Sequence, residues 1–275
     1  MDAGVAAPRG IVAFMTDFGS RDPYVGIIRG LVERLTGGRV RLIDLTHEVD
    51  AFSVTAGAYV LYTSYRWFPR GTVFLAVVDP GVGTGRKPVA VKTRNYYFVG
   101  PDNGLLYPAA EEDGVEEVRV LDNPALHVHP VSASFHGRDV FAPAAAHLAA
   151  GVPFEALGAP YPPERLQRLR LRRPCPPSVE DGVETEVVYV DRFGNAALGL
   201  ERGCYTSLCR RGRVEVKAGG AGHAARCLPV FSHAERGELV FYMNSLGFPE
   251  LAVNLGSAAE QLRLRVGDRV ALRPL

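Results

Sequence analysis

The chain has 275 residues, 47% of them hydrophobic and 22% charged, with a formal net charge of +1. That length suits one large domain or two ordinary ones, and the near-neutral charge leaves no electrostatic footprint for nucleic acid. No uninterrupted apolar stretch approaches the roughly 18 residues of a membrane span, and residues 1–10 lack the apolar core of a secretory leader, so a cytoplasmic protein is expected.

In chain order, Ile11–Thr16 (IVAFMT) is a short apolar run that reads as a strand. Residues 24–35 place Val25, Ile28, Leu31, Val32 and Leu35 at helical spacing. A second strand is expected at 40–45, a helix at 53–65, and buried strands at 72–78, 89–92 and 96–99. A small-residue helix follows at 139–150, with Pro143 tolerated near its first turn. Apolar strands interleaved with helices predict an α/β domain with a mostly parallel sheet and flanking helices over residues 1–165. Prolines at both ends of an arginine-rich stretch mark 166–180 as a linker. Short strands between glycine and asparagine turns then predict a small all-β barrel over 181–275. Cys175, Cys204, Cys209 and Cys227 form no C-x-x-C pair and are expected as free thiols, with a zinc site or one disulfide as alternatives.

Three familiar-looking motifs lack the context that would give them their usual chemistry. Asp17-Phe18-Gly19 stands without the glycine loop and lysine strand of a protein kinase. Gly81-Val82-Gly83-Thr84-Gly85 leads toward a strand, whereas a phosphate-cradling loop must open a helix. His127-Val128-His129 offers two imidazoles and no third metal ligand nearby, so no metal site is expected.

Chemistry concentrates instead in polar, glycine-containing clusters that follow apolar strands, where ligands of α/β sheets bind. They are residues 16–22, 79–83, 100–104 and 134–139 in the first domain, and 191–195 and 244–247 in the second. Each alone reads equally well as an ordinary turn.

Taken together, TDFGSRDPYVG (16–26), DLTHEV (44–49), VVDPGVGTGR (77–86), GPDNGLL (100–106), SFHGRD (134–139), VDRFGN (190–195) and NSLGFPELAVNLGSAA (244–259) stand in a recognisable order. In that order the chain resembles the S-adenosylmethionine (SAM) hydrolases, or SAM hydroxide adenosyltransferases, which are relatives of the fluorinase and chlorinase. The resemblance implies hydrolysis of SAM to adenosine and methionine without a cofactor. It also implies a homotrimer whose sites lie between the first domain of one subunit and the second domain of the next. It further implies a water-handling set, which here falls on Asp79, Arg86 and His136. The halogenating relatives carry a tyrosine in place of Asp79 and lack the other two. Substrate contacts implied by the resemblance fall on Asp17 for the ribose hydroxyls, Asp22 and Tyr24 near the methionine end, and Phe52 beside the nucleoside. Asp191 and Asn195 match positions holding the amino and carboxylate groups, and Phe193 one stacking on adenine. Ser245 and the backbone near Ala252 complete the contacts, and Asn103 and Glu250 are counted with the substrate-binding set.

Residue chemistry agrees with that picture. Methionine leaves from a positive sulfonium, so neither a general acid nor a metal is required. The barrier is delivery of an oxygen nucleophile in line with the C–S bond. His136 is suited to take a proton from water, Arg86 to stabilise developing hydroxide, and Asp79 to orient either. Competing readings are a halogenase of the same fold, a SAM or adenosine sensor without turnover, and a methyltransferase. The carboxylate of Asp79 repels a halide, and the glycine-rich loop of a methyltransferase is absent after the first strand.

Overall fold

The computed structural model describes residues 6–275, so the first five residues of the stretch read for a leader lie outside the described residues. No described helix is long and apolar enough to cross a membrane. The chain divides into two compact units, one ending at Leu169 and the other beginning at Arg170.

The first unit is built on a six-stranded sheet. Its strands are β1 (Ile11–Thr16), β2 (Arg41–Thr46), β3 (Val73–Val77), β4 (Pro88–Thr93), β5 (Tyr97–Pro101) and β6 (Val115–Val120), in the order β2-β1-β3-β5-β4-β6. β2, β1, β3 and β5 run parallel, and β4 pairs antiparallel with β5 and β6. β3 is buried at every position, as a parallel strand covered on both faces must be. Helices α1 (Tyr24–Thr36) and α4 (Ala142–Ala149) pack on each other, as do α2 (Val54–Ser64) and α3 (Tyr107–Asp113). Val25, Ile28, Leu31 and Val32 of α1 join β1, β3 and the alanines of α4 in one core. The helix expected over 139–150 begins instead with a π-helical turn, Gly137–Phe141. Pro143 has no N–H to offer the carbonyl of Asp139, and that carbonyl accepts the N–H of Val128 at 2.9 Å.

The second unit is a closed barrel. Its strands are β7 (Val183–Val190), β8 (Ala196–Leu198), β9 (Arg213–Ala218), β10 (Ala221–Cys227), β11 (Leu239–Met243), β12 (Pro249–Val253) and β13 (Arg269–Pro274), in the order β10-β11-β12-β8-β7-β13-β9. Alternation is clean in β9 and β13, where Val214, Val216, Val270 and Leu272 point inward. Closure leaves no open sheet edge. Within the stretch expected as a linker, Leu171 is buried and the Arg173 N–H donates to the Gly199 carbonyl at 2.9 Å. The cysteines correct the sequence expectation: Cys175 pairs with Cys204 and Cys209 with Cys227, so all four are in disulfides. Both bridges anchor the short helix α5 (Arg202–Leu208) and the turn after it.

Candidate active site

Because β1, β3 and β5 are parallel, their carboxyl ends share one edge of the first unit's sheet. Loops leaving that edge carry Asp17, Asp79 and Asn103, and the π-helical turn places His136 beside them. A cleft of about 220 Å³ opens there, lined by Asp17, Phe18, Phe52, Asp79, Phe135 and His136 among others.

Asp79, Arg86 and His136 form a continuous chain. Arg86 Nε donates to Asp79 Oδ1 at 2.9 Å, and Nη2 donates both to Asp79 Oδ2 and to His136 Nδ1, the latter at 3.0 Å. The ion pair is nine-tenths buried, with side-chain exposures of 9% for Arg86 and 6% for Asp79. The guanidinium lies 5.1 Å from the centre of the Phe141 ring, a cation–π distance. Its Nη1 is buried with no hydrogen-bond partner among the described residues. In the 81–85 loop, a Cβ at Gly81 would touch the Arg86 side chain at 3.4 Å. Gly83 has φ +77°, and a Cβ there would meet the Ala133 carbonyl at 2.6 Å. The loop then enters β4, so no helix N-terminus faces a ligand.

The contacts of His136 bear on its expected role as a base. A guanidinium has donors and no acceptor, so Nδ1 accepts, and the neutral ring carries its hydrogen on Nε2. Burial, reinforced by the Arg86 cation, holds the His136 pKa below the ordinary histidine value. The ring is therefore kept neutral as a hydrogen-bond donor. To take a proton at Nδ1 it would have to give up its bond to Arg86.

Asp17 accepts the Phe52 N–H at 2.8 Å. Its pKa is raised, mainly by burial and in part by the Asp79 charge. Phe52 adopts a left-handed conformation (φ +66°) rare for a bulky residue, and its ring is 73% exposed. Tyr24 stands edge-on to Phe18 and Phe135, 5.9 and 5.3 Å between ring centres, but does not itself line the cleft, and neither does the exposed Asp22. Asn103 does not line it either. Its Nδ2 donates to the Val78 carbonyl at 2.9 Å and its Oδ1 accepts from Leu105 N at 3.1 Å, so it braces the backbone next to Asp79 from behind.

The second unit gathers its own set. Asp191 organises the 191–195 turn: Oδ1 accepts from Phe193 N and Asn195 N, and Oδ2 from Asn195 Nδ2. Asp191 and Asn195 are thus bonded to each other, and Phe193 projects from the turn 76% exposed. Ser245 is exposed on the 244–247 turn. Glu250, counted with the substrate-binding set, lies inside the barrel domain's own hydrogen-bond network. It is buried, and accepts from the Tyr242 hydroxyl and from Asn244 Nδ2, whose own Oδ1 accepts from Leu246 N and Phe248 N. It supports the turn that carries Ser245. Ala252 is a buried β12 residue opposite Val240.

His127 and His129 each bring Nε2 to a main-chain carbonyl, of Leu121 at 3.2 Å and of Pro124 at 2.8 Å respectively. Sequence reasoning missed Phe18, Phe135 and Phe141, although the first two lie inside the quoted blocks.

Residues 12–158 match the SAM hydroxide adenosyltransferase N-terminal domain, and residues 185–271 match the C-terminal domain of the same family. The chain belongs to the SAM hydroxide adenosyltransferase family. It is 43% identical to the (R)-S-adenosyl-L-methionine hydrolase of Thermus thermophilus over 95% of this chain and 98% of that one. It is 40% identical to the enzyme of the same name from Salinispora tropica, over 96% and 98%. A fluorinase from an Actinoplanes species is more distant, at 27% identity. Among solved structures, a conserved protein from Thermotoga maritima superposes with a TM-score of 0.85 at 39% identity, covering 95% of this chain and 99% of that one.

Proposed function

We propose that this member of the SAM hydroxide adenosyltransferase family hydrolyses (R)-S-adenosyl-L-methionine to adenosine and L-methionine. The observation that carries the reading is the buried Asp79–Arg86–His136 chain at the wall of the cleft. Its hydrolase relatives bear that activity in their names at 40–43% identity over nearly the whole chain.

The charges fit the substrate. Asp79 and Arg86 neutralise each other and His136 is held neutral, which leaves Asp17 as the acidic group lining the cleft without a cationic partner among the described residues. Such a site attracts a sulfonium and disfavours a halide. Arg86 and the Nε2–H of His136 are donors that stabilise hydroxide over water, so the water's proton passes to solvent. The hydroxide oxygen attacks C5′, the C5′–O bond forms as the C5′–S bond breaks, and the sulfur takes the electron pair as the neutral thioether of methionine. The charge that held the substrate is then gone, which favours release. Asp79 supplies no proton step; with both oxygens on Arg86, it fixes the guanidinium. The sulfonium leaving group needs no metal or cofactor.

Asp17 is assigned to the ribose hydroxyls, Phe52 and Phe193 to the faces of the nucleoside, and Tyr24, Asp22, Asn195 and Ser245 to the methionine portion. The family resemblance supports a homotrimer with sites shared between subunits. We place the protein in the cytoplasm, the compartment where its substrate is made, although two disulfides are uncommon there outside hyperthermophiles.

Incubation with SAM enriched in either sulfonium epimer, followed by chromatography, tests the reading. Equimolar adenosine and methionine from the (R) epimer are expected. Intact SAM after long incubation would sink catalysis, and 5′-chloro-5′-deoxyadenosine in chloride buffer would point to a halogenase. The pH profile has a predicted sign. Hydroxide becomes scarcer as pH falls, and protonation of His136 breaks its bond to Arg86. Because the His136 pKa is depressed, this second loss sets in only below the ordinary value of about 6.5. Turnover followed from about pH 5 to about pH 9 is expected to rise with pH, with the extra acid-side loss absent in His136→Gln. A rate that increased toward acid would contradict the donor role.

A further inference from the structure

The DLTHEV block contributes no residue to the roles assigned above, yet its Asp44 and His47 belong to a polar chain that runs from the half-exposed Arg29 to the buried Thr16. Arg29 Nη2 donates to Asp44 Oδ2. Asp44 Oδ1 lies 3.0 Å from His47 Nε2, and His47 Nδ1 lies 2.9 Å from Thr16 Oγ1. The Thr16 hydroxyl accepts the Phe18 N–H at 3.2 Å, and the His47 carbonyl accepts the Gly19 N–H at 2.7 Å. The directions follow from donor inventory. A carboxylate already bound to Arg29 accepts, so His47 Nε2 donates to it. His47 Nδ1 then accepts, so the Thr16 hydroxyl donates to Nδ1 while receiving the Phe18 N–H. From Phe18 N through Thr16 and His47 each bond points toward Asp44, which also accepts from Arg29.

Hydroxyl, imidazole and carboxylate in this order resemble a nucleophilic triad, but Thr16 is fully buried and its hydroxyl hydrogen is committed to His47. The attachments point to another use. Thr16, Phe18 and Gly19 surround Asp17, and each is tied directly or through one atom to His47. His47 itself is buried and packed 4.6 Å from the Phe14 ring.

We propose that His47 is a positioning residue for Asp17: held by Asp44 and Arg29, it fixes through the Thr16 hydroxyl and the Gly19 N–H the loop that aims the Asp17 carboxylate. This rests on the reading that Asp17 binds the ribose hydroxyls. The carboxylate has a second tie, to Phe52 N, so the loop is restrained from both sides.

A comparison of nucleosides tests the inference. Calorimetric titration of the full-length protein with adenosine and with 2′,3′-dideoxyadenosine reads the contribution of the ribose hydroxyls alone. Wild-type protein is expected to prefer adenosine. His47→Leu is expected to weaken adenosine binding about tenfold with dideoxyadenosine nearly unchanged, a loss in the range of one charge-assisted hydrogen bond. His47→Asn, which keeps an acceptor near the Nδ1 position, is expected to recover most of that loss. Thr16→Val removes the hydroxyl with little change of shape, and repeats the loss without depending on whether the His47 variants fold. Equal weakening of both nucleosides, or no weakening of either in folded Thr16→Val, would overturn the positioning role while leaving hydrolysis intact. Equal affinity of the wild-type protein for the two nucleosides would remove the Asp17 assignment, and this inference with it.

Discussion

Replacing Arg86 with alanine is expected to lower turnover at saturating substrate by about a hundredfold or more, with substrate affinity close to that of the unmodified protein. The side chain bonds to Asp79 and His136 rather than to a group assigned to the nucleoside, so the loss falls on the reacting oxygen. A second effect follows from burial. Removing one member of a buried ion pair costs on the order of 3–5 kcal/mol, because the remaining charge is left without its partner. Asp79 is 6% exposed and would be in that position. Adding Asp79→Asn to Arg86→Ala is therefore expected to restore much of the melting temperature and none of the turnover. His136→Ala leaves Arg86 and Asp79 paired, so its loss of turnover is expected without comparable destabilisation. Single-turnover kinetics beside thermal melts separate the two effects. Normal turnover in both single variants would mean that the water-activating set lies elsewhere.

The second large effect is on stability. The Cys175–Cys204 bridge spans a sequence separation of 29 residues and Cys209–Cys227 one of 18. Loops of these lengths restrict the unfolded chain enough to stabilise the fold by roughly 3 kcal/mol each, in the chain-entropy account. Reducing one bridge is then expected to lower the melting temperature of the second unit by on the order of 10 °C. Scanning calorimetry with and without reductant, with free thiols counted in parallel, checks this. An unchanged melting temperature with four titratable thiols would show that the bridges contribute nothing. The first unit contains no cysteine, so a transition confined to it should not move.

The sheet of the first unit was legible because its strands are apolar runs and its helices carry periodic stripes; β1, α1 and β3 lie within a residue or two of where pattern alone puts them. α3 and β6 were not. YPAAEED is too short to show a stripe and VEEVRV too charged to read as a buried strand. Both owe their form to neighbours: β6 pairs with β4, and α3 packs on α2. Asp79, Arg86 and His136 were legible as members of motifs, and the structure brings them within hydrogen-bond reach.

By itself, then, the sequence determined the two-domain α/β-plus-barrel architecture, the family, and the side chains at the carboxyl edge of the sheet. Periodicity and motif order are local properties of a chain. Donor direction is not. That Arg86 meets Nδ1 of His136, leaving Nε2 to carry the hydrogen of the neutral ring, depends on how two loops 50 residues apart fold together. The same holds for Glu250, whose carboxylate accepts from Asn244 of the neighbouring turn, for Asn103, whose amide reaches the Val78 carbonyl, and for the cysteines, whose spacing says nothing about which barrel elements lie side by side. Only tertiary structure sets those distances, because hydrogen bonds and disulfides form between atoms that the fold, and not the order of residues, makes adjacent.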